Sequence, residues 1–346
     1  MTVAYPMIEF HILQSFPVSC LNRDDVGSPK TCMIGGVTRA RVSSQCWKRA
    51  VRLQLHELGV TLGIRTKKVA ERLKEELKKQ GLEEEKASKC AVKIANLISD
   101  NSLTFLTDLE YKKLAQYAQS IGFNPSQVDK DKVKRVIQKL DTKGLDGLDI
   151  ALFGRMVAKV RTMNVEASAA FSHAFSTHAV DNELDFFTAI DDENEGDEPL
   201  SGHLGANEFN SATYYRYVSL NLEQLVETLG IQDLESVQTA VRTFVKALYV
   251  AVPAARQSTM SASRLWDFAR VYVRHGQRLQ ASFEEPVAAG RNGGYLAESI
   301  RRLKEDLDLK ERQAGSLFGK VASFEFGDSD KSIDTLIEEV LESVRV

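Results

Sequence analysis

The feature that most constrains this chain is a change of period. Residues 7–13, Met-Ile-Glu-Phe-His-Ile-Leu, alternate: Ile8, Phe10 and Ile12 are apolar, Glu9 and His11 polar. Period two marks a half-buried strand. From Ser43 the period becomes helical. At about 100° per residue, Cys46, Trp47, Ala50, Val51, Leu53 and Leu58 gather on one side, with Lys48, Arg49 and Arg52 opposite. Ser43 is suited to cap that helix, because its oxygen can accept from a free first-turn amide.

The rest follows in blocks. Residues 15–42 are rich in Gly, Pro, Ser and Asp and read as a long structured loop, a form often tied to function. Residues 66–145 read as helical throughout, with Val69, Leu73 and Leu77 in phase and Gly81 as a terminator. "IALFGRM" and "VEASAAFSHAFSTHAV" read as short strands and loops. "DFFTAI" and "ATYYRYVSL" flank an acidic, Gly-rich tip at 193–205, which predicts a long hairpin. Helices are expected at 222–229 and 233–251, a strand in "RLWDFARVYVRHG", then two helices and the strand "ASFEF". The order fits an α+β fold built on a ferredoxin-like or RRM-like core with large insertions.

Charge is segregated. The net formal charge of the 346 residues is only −3. Yet "RARVSSQCWKRAVR" (39–52) holds Arg39, Arg41, Lys48, Arg49 and Arg52. From Arg23 to Arg72 there are eleven basic and four acidic residues; from Asp181 to Glu198 there are nine acidic and none basic. Opposed blocks suggest a positive groove and a negative region elsewhere, or two solvated faces. A helix N-terminus offers free amides and the positive end of its dipole, and Ser43, Ser44 and Gln45 add polar groups there. With Arg41, Lys48 and Arg52 around it, such a cluster suits several consecutive phosphates. "DKDKVKRVIQK", with Lys130, Lys132, Lys134, Arg135 and Lys139, reads as a second exposed strip. Phe186, Phe187 and Thr188 are hairpin core, or one Phe wedges against a base.

Other chemistry is not legible. His173 and His178 are five apart with no Glu between them, so no metal site or cofactor is expected. There is no Gly-x-Gly-x-x-Gly after a strand and no P-loop; Gly35–Gly36 serves a tight turn or a close backbone approach. Asp24–Asp25 can bind metal, act as a base or form Asx turns. Cys20, Cys32, Cys46 and Cys90 lack Cys-x-x-Cys spacing, so neither zinc nor a disulfide framework is expected, and a reducing cytoplasm fits. No signal peptide and no bilayer-spanning run of about 20 apolar residues is read, so no membrane partner is expected.

Several of these blocks occur together in a known family. "SCLNRDD", then Gly-Gly-x-x-Arg-x-Arg-Val-Ser-Ser-Gln-x-x-Lys-Arg-Ala, "DIALFGRM", His-Ala-x-x-Thr-His-x-Val-Asp, Asp-x-Phe-Thr-Ala-x-Asp-Asp, His-Leu-Gly-x-x-Glu-Phe and Tyr-Arg-Tyr run in order from about residue 8 to 225. The later part matches more loosely, through "AVPAARQ". The series resembles the CasC backbone subunit of the type I-E CRISPR Cascade complex, in the RAMP superfamily of RRM-derived proteins.

The resemblance implies a palm (1–59 and 146–346) that is a modified RRM, helical fingers (60–145) and a thumb hairpin (178–213). It implies a non-catalytic, cytoplasmic subunit whose copies stack along one guide RNA (crRNA) and leave bases free to pair with target DNA. Expected partners are further copies of itself and the large, small, handle-binding and crRNA-processing Cascade subunits. By motif, Arg23, Lys30, Arg41, Ser43, Gln45, Lys48, Arg49 and Arg52 would hold guide phosphates. Phe187 and Thr188 would wedge at the kink, assisted by a palm methionine, Met163. Lys132, Lys134 and Lys139 would face DNA. The acidic thumb, Asp191 and Asp192 included, would meet basic surface on a neighbouring copy. The alternative is a type III-like relative that cuts target RNA with a divalent metal at Asp24 or Asp25.

Overall fold

The computed structural model describes residues 5–99, 102–137, 140, 145–190, 201–231, 233–327 and 330–344. Lys139, Asp191, Asp192 and most of the acidic tip lie outside them. The chain opens with β1 (Met7–Ser19), β2 (Thr31–Ile34), β3 (Val37–Val42) and α1 (Ser44–Glu57). Then come β4 (Ile64–Thr66), α2 (Val69–Lys79), α3 (Glu84–Ile98), β5 (Thr104–Leu106), α4 (Asp108–Ser120) and α5 (Lys130–Val136). The central part is α6 (Leu148–Phe153), β6 (Ala169–Phe171), β7 (Ala174–Ser176), β8 (Glu183–Ile190) and β9 (Ser201–Asn221). It closes with α7 (Leu222–Leu229), α8 (Leu234–Val250), α9 (Gln257–Met260), β10 (Phe268–Arg274), α10 (Leu296–Ala314), β11 (Lys320–Phe326) and α11 (Ile333–Ser343).

The main sheet runs β11-β10-β1-β9-β7-β3-β2, with β6 and β8 also paired to β9, and every pairing is antiparallel. The alternation of β1 assigns its two faces. Ile8, Phe10 and Ile12 pack with Val218 and Leu220 of β9 and Val271 and Val273 of β10 under α1, α8 and α11. Glu9, His11 and Leu13 face the other way, with Tyr215, Tyr217 and Tyr272, and are covered by Leu279–Val287 and α10. The buried Glu9 is satisfied there by Arg274, the Tyr217 hydroxyl and the Leu279 amide.

Residues 69–137 form a separate helical core around Leu73, Leu77, Ile94, Tyr111 and Leu114. The capping box of Thr107 and Glu110 starts α4, and Glu110 also holds the buried Arg155 guanidinium at 2.8 Å. That pair ties this helical core to the segment after α6.

Local readings fared unevenly. Ser43 caps α1, accepting from the Cys46 amide, and Val69, Leu73 and Leu77 are buried in α2. On α1 Trp47, Ala50 and Val51 are buried together with Leu55, whereas Leu53 and Leu58 are exposed. The segment read as helical throughout contains β5, which pairs with β4. The 15–42 loop is shorter than read: β1 extends to Ser19, and β2 and β3 form a hairpin. Its two-residue turn is Gly35–Gly36, both at positive φ (61° and 77°), as such hairpins require. A Cβ on Gly35 would stand 1.9 Å from the Glu284 carbonyl oxygen, so this turn also needs glycine for a close backbone approach. "IALFGRM", read as strand or loop, begins with helix α6, bounded by Gly147 and Gly154 at positive φ. Apolar runs this short do not discriminate helix from strand.

Candidate nucleic-acid interface

The cap of α1 is the centre of the site. The Ser43 backbone N–H donates to Oδ1 of Asn22 at 2.9 Å, which pins the 22–30 loop to the helix N-terminus. The loop closes on itself, the Lys30 amide donating to the Asn22 carbonyl and the Arg41 amide to the Lys30 carbonyl, both at 2.8 Å. Arg23, Lys30, Arg41 and Ser43, up to twenty residues apart in sequence, are thereby gathered on one rim. Gln45 and Arg49 are exposed on the first turns of α1. Arg41 Nη1 lies 3.1 Å from His173 Nδ1, and Lys48 Nζ stands 5.9 Å from the centre of the Phe171 ring. The rim therefore has a floor made from β6 and its turn into β7.

The electrostatics are those of an unneutralised site. Partial burial pushes the His173 pKa down, and the nearby Arg41 and Lys30 push it further. A neutral imidazole then lies beside two cations. Burial also lowers the Lys48 pKa. No ion pair to Arg23, Lys30, Arg41, Lys48 or Arg49 is formed among the described residues. Sequence reasoning missed His173 as a site residue: it was weighed only as a metal ligand, and nothing local reveals that it abuts Arg41 across 132 residues.

Three expected residues take other positions. Arg52 donates through Nε to Oδ2 of Asp149 at 2.7 Å and through Nη2 to the Gly63 carbonyl at 2.6 Å. Its charge is therefore engaged by Asp149 beside the segment that follows α1. Met163 is fully buried in the helical core around Leu73 and Tyr111, on a one-turn 3-10 helix, and is not available to a ligand. The methionine that is exposed in that region is Met156, at 81%. Asp24 accepts the amides of Val26 and Ser28 at Oδ1, so it is an Asx-turn former.

The remaining residues lie on other elements. Phe187 and Thr188 sit on β8, opposite Gly205 and Leu204 of β9. Residues 183–188 of β8 are exposed except for the shared backbone pairing, with Phe186 at 68% and Phe187 at 42%. Lys132 and Lys134 ride on α5, Lys134 within 3.6 Å of Asp131. Cys20, Cys32, Cys46 and Cys90 are free thiols, and no helix among the described residues is long and apolar enough to cross a membrane.

Comparison with solved structures finds close overlap. A chain of a CRISPR RNA-guided surveillance complex described as pre-nicking superposes with a TM-score of 0.82 at 26% identity, covering 98% of this chain and 100% of that one. A chain of a second CRISPR RNA-guided surveillance complex has the same fold, with a TM-score of 0.72 at 23% identity over 97% of this chain and 99% of its own. A comparison with curated protein sequences finds no match. A family model described as CT1975-like protein matches residues 8–343. The resemblance to Cascade backbone subunits drawn from the motifs holds, and the chain belongs to the CT1975-like protein family.

Proposed function

We propose that this chain is a non-catalytic backbone subunit of a type I-E-like CRISPR surveillance complex, binding guide RNA through its phosphates. The observation that carries this reading is the rim of Arg23, Lys30, Arg41 and Arg49, with half-buried Lys48, set around a capped helix N-terminus and without an ion-paired carboxylate among the described residues. Successive phosphates are the ligand that such a row fits. The palm is a modified RRM: the strands β10-β1-β9-β6, with α1 and α8 on one face, follow the order of a split βαβ unit.

The thumb supports stacking along the guide. An isolated two-stranded hairpin is marginal in water, and β8 presents Leu184, Phe186 and Phe187 to solvent. A neighbouring copy would cover them and let Phe187 and Thr188 wedge a nucleotide. Lys132 and Lys134 would then lie along target DNA, and partner subunits would complete the complex. Cleavage at Asp24 or Asp25 is the weaker reading, because the Asp24 carboxylate is already engaged with two amides of its own loop.

The test is to co-express the chain with partner subunits and a CRISPR array, then sequence any co-purified nucleic acid. Repeat–spacer RNA of uniform length is the expected result. Complexes that assemble without RNA would end this reading.

A further inference from the structure

Among the described residues, five arginines are buried: Arg39, Arg155, Arg216, Arg270 and Arg274. Three are paired as buried cations ordinarily are. Arg155 meets Glu110 at 2.8 Å, Arg274 meets Glu9 at 2.8 Å, and Arg270 meets Asp308 at 2.5 Å and also Glu325. The other two, Arg39 and Arg216, have no carboxylate within ion-pair distance among the described residues; Arg39 precedes the rim residue Arg41 by two positions on β3, and Arg216 packs on Trp47 of α1.

Arg39 sits on β3, two residues before Arg41, and donates to the carbonyls of Ser176, Phe283 and Glu284 at 2.8–3.0 Å. Arg216 stacks its guanidinium 3.6 Å from the Trp47 ring, in the first turns of α1, and donates to Oε1 of Gln14 at 2.5 Å. Its Nη2 has no partner, and neither has Nε of Arg39. Burial pulls the Arg216 pKa down to about 9, still charged at neutral pH. An uncompensated cation beneath the positive end of a helix is unfavourable in the empty protein. A methionine would fill the same space without that cost. The arrangement becomes favourable only when an anion occupies the surface above.

We propose that Arg39 and Arg216 are fixed field sources beneath the guide-RNA groove, attracting phosphates through the protein interior without touching them. The inference rests on the guide-binding reading above. Its physical signature is distinctive. A groove lysine that meets a phosphate releases counterions and contributes to the salt slope of binding. A buried charge has no counterions to release. It raises affinity by a similar factor at every salt concentration, because the low-dielectric interior screens it little.

The experiment measures anisotropy of a labelled single-stranded RNA with the full chain over a KCl series. Arg216→Met is expected to weaken binding about tenfold at each salt concentration, with the slope unchanged. Gln14→Glu supplies the missing carboxylate while Arg216 stays stacked on Trp47, and the same loss is expected; it decides the matter alone should Arg216→Met not fold. Trp47→Leu removes the stacking but keeps the charge, and is expected to bind like wild type. Undiminished affinity in the first two variants, a reduced salt slope, or an equal loss in Trp47→Leu would overturn the inference while leaving guide binding intact. A wild-type chain that binds no RNA would overturn both.

Discussion

Nε of Arg52 donates to Oδ2 of Asp149 at 2.7 Å, joining the basic face of α1 to the entrance of the fingers. The carboxylate is fully buried and also accepts the amides of Gly63 and Ile150. Arg52→Ala would strand that charge, so it is expected to cost about 3 kcal/mol of stability in urea unfolding. Burial raises the Asp149 pKa despite these partners, so the ion itself is held at a cost. The double variant Arg52→Met, Asp149→Leu should therefore recover most of the loss. Additive losses in the double variant would contradict this account.

Lys48→Ala should leave stability nearly unchanged and weaken RNA binding to a similar degree for every guide sequence. If Lys48 meets one phosphate, the slope of log K against log salt should fall by about 0.7. A loss confined to particular sequences, measured on two guides of unlike composition, would mean that bases rather than phosphates are read.

The contrast between Lys48 and Arg52 shows what the sequence could convey. Both stand on the basic side of one amphipathic helix, and periodicity assigned that side correctly. What separates them is Asp149, 97 residues away, which captures Arg52. Likewise, Arg39 and Arg41 alternate onto the same face of β3, yet one is buried and the other reaches the rim. Local pattern gives direction and not depth. The strand at Ile8–Ile12, the Ser43 cap and α7 were legible because their signals are local. The β2–β3 hairpin was hidden because it is short, edge-placed and flanked by loop-like composition. The burial of Met163 was hidden for a similar reason: apart from Val157 and Val160, the core it joins is built from residues 69–137.

The two methionines of that segment should separate cleanly. Met163→Ala empties space in the core of the fingers and is expected to destabilise the protein by about 2–4 kcal/mol. Met156→Ala, on an exposed side chain, should leave thermal stability almost unchanged. Calorimetry on both variants checks this, and equal effects would mean that the burial pattern around Arg155 is wrong.

The Phe187 ring lies against Gly205, its cross-strand neighbour; a Cβ on that glycine would stand 2.3 Å from Cζ. Gly205→Ala therefore displaces the ring without touching the palm core. The hairpin is exposed, so the melting temperature of the isolated chain should hardly move, because surface changes are usually within about 0.5 kcal/mol. Assembly of several copies on RNA, read by light scattering, should be impaired, and Phe187→Ala should share the defect. Normal assembly in both variants would remove Phe187 from the proposed wedge.

His11 sets an acid limit on the fold. Its ring is fully buried among Tyr215, Tyr217 and Tyr272, with Nδ1 2.9 Å from the Tyr215 hydroxyl and Nε2 unpartnered. Burial, aided by Arg270, Arg274 and Lys310, lowers its pKa from 6.5 to about 3. The unfolded chain thus binds a proton that the folded chain refuses, so stability falls as pH drops from about 6.5 towards 3. Between pH 7 and pH 5 this one residue accounts for about 2 kcal/mol. His11→Gln keeps an acceptor for Tyr215 but cannot titrate. Its stability should be lower than wild type at pH 7 yet decline less between pH 7 and pH 5. Parallel declines in urea titrations of the two proteins would show that some other group sets the acid limit.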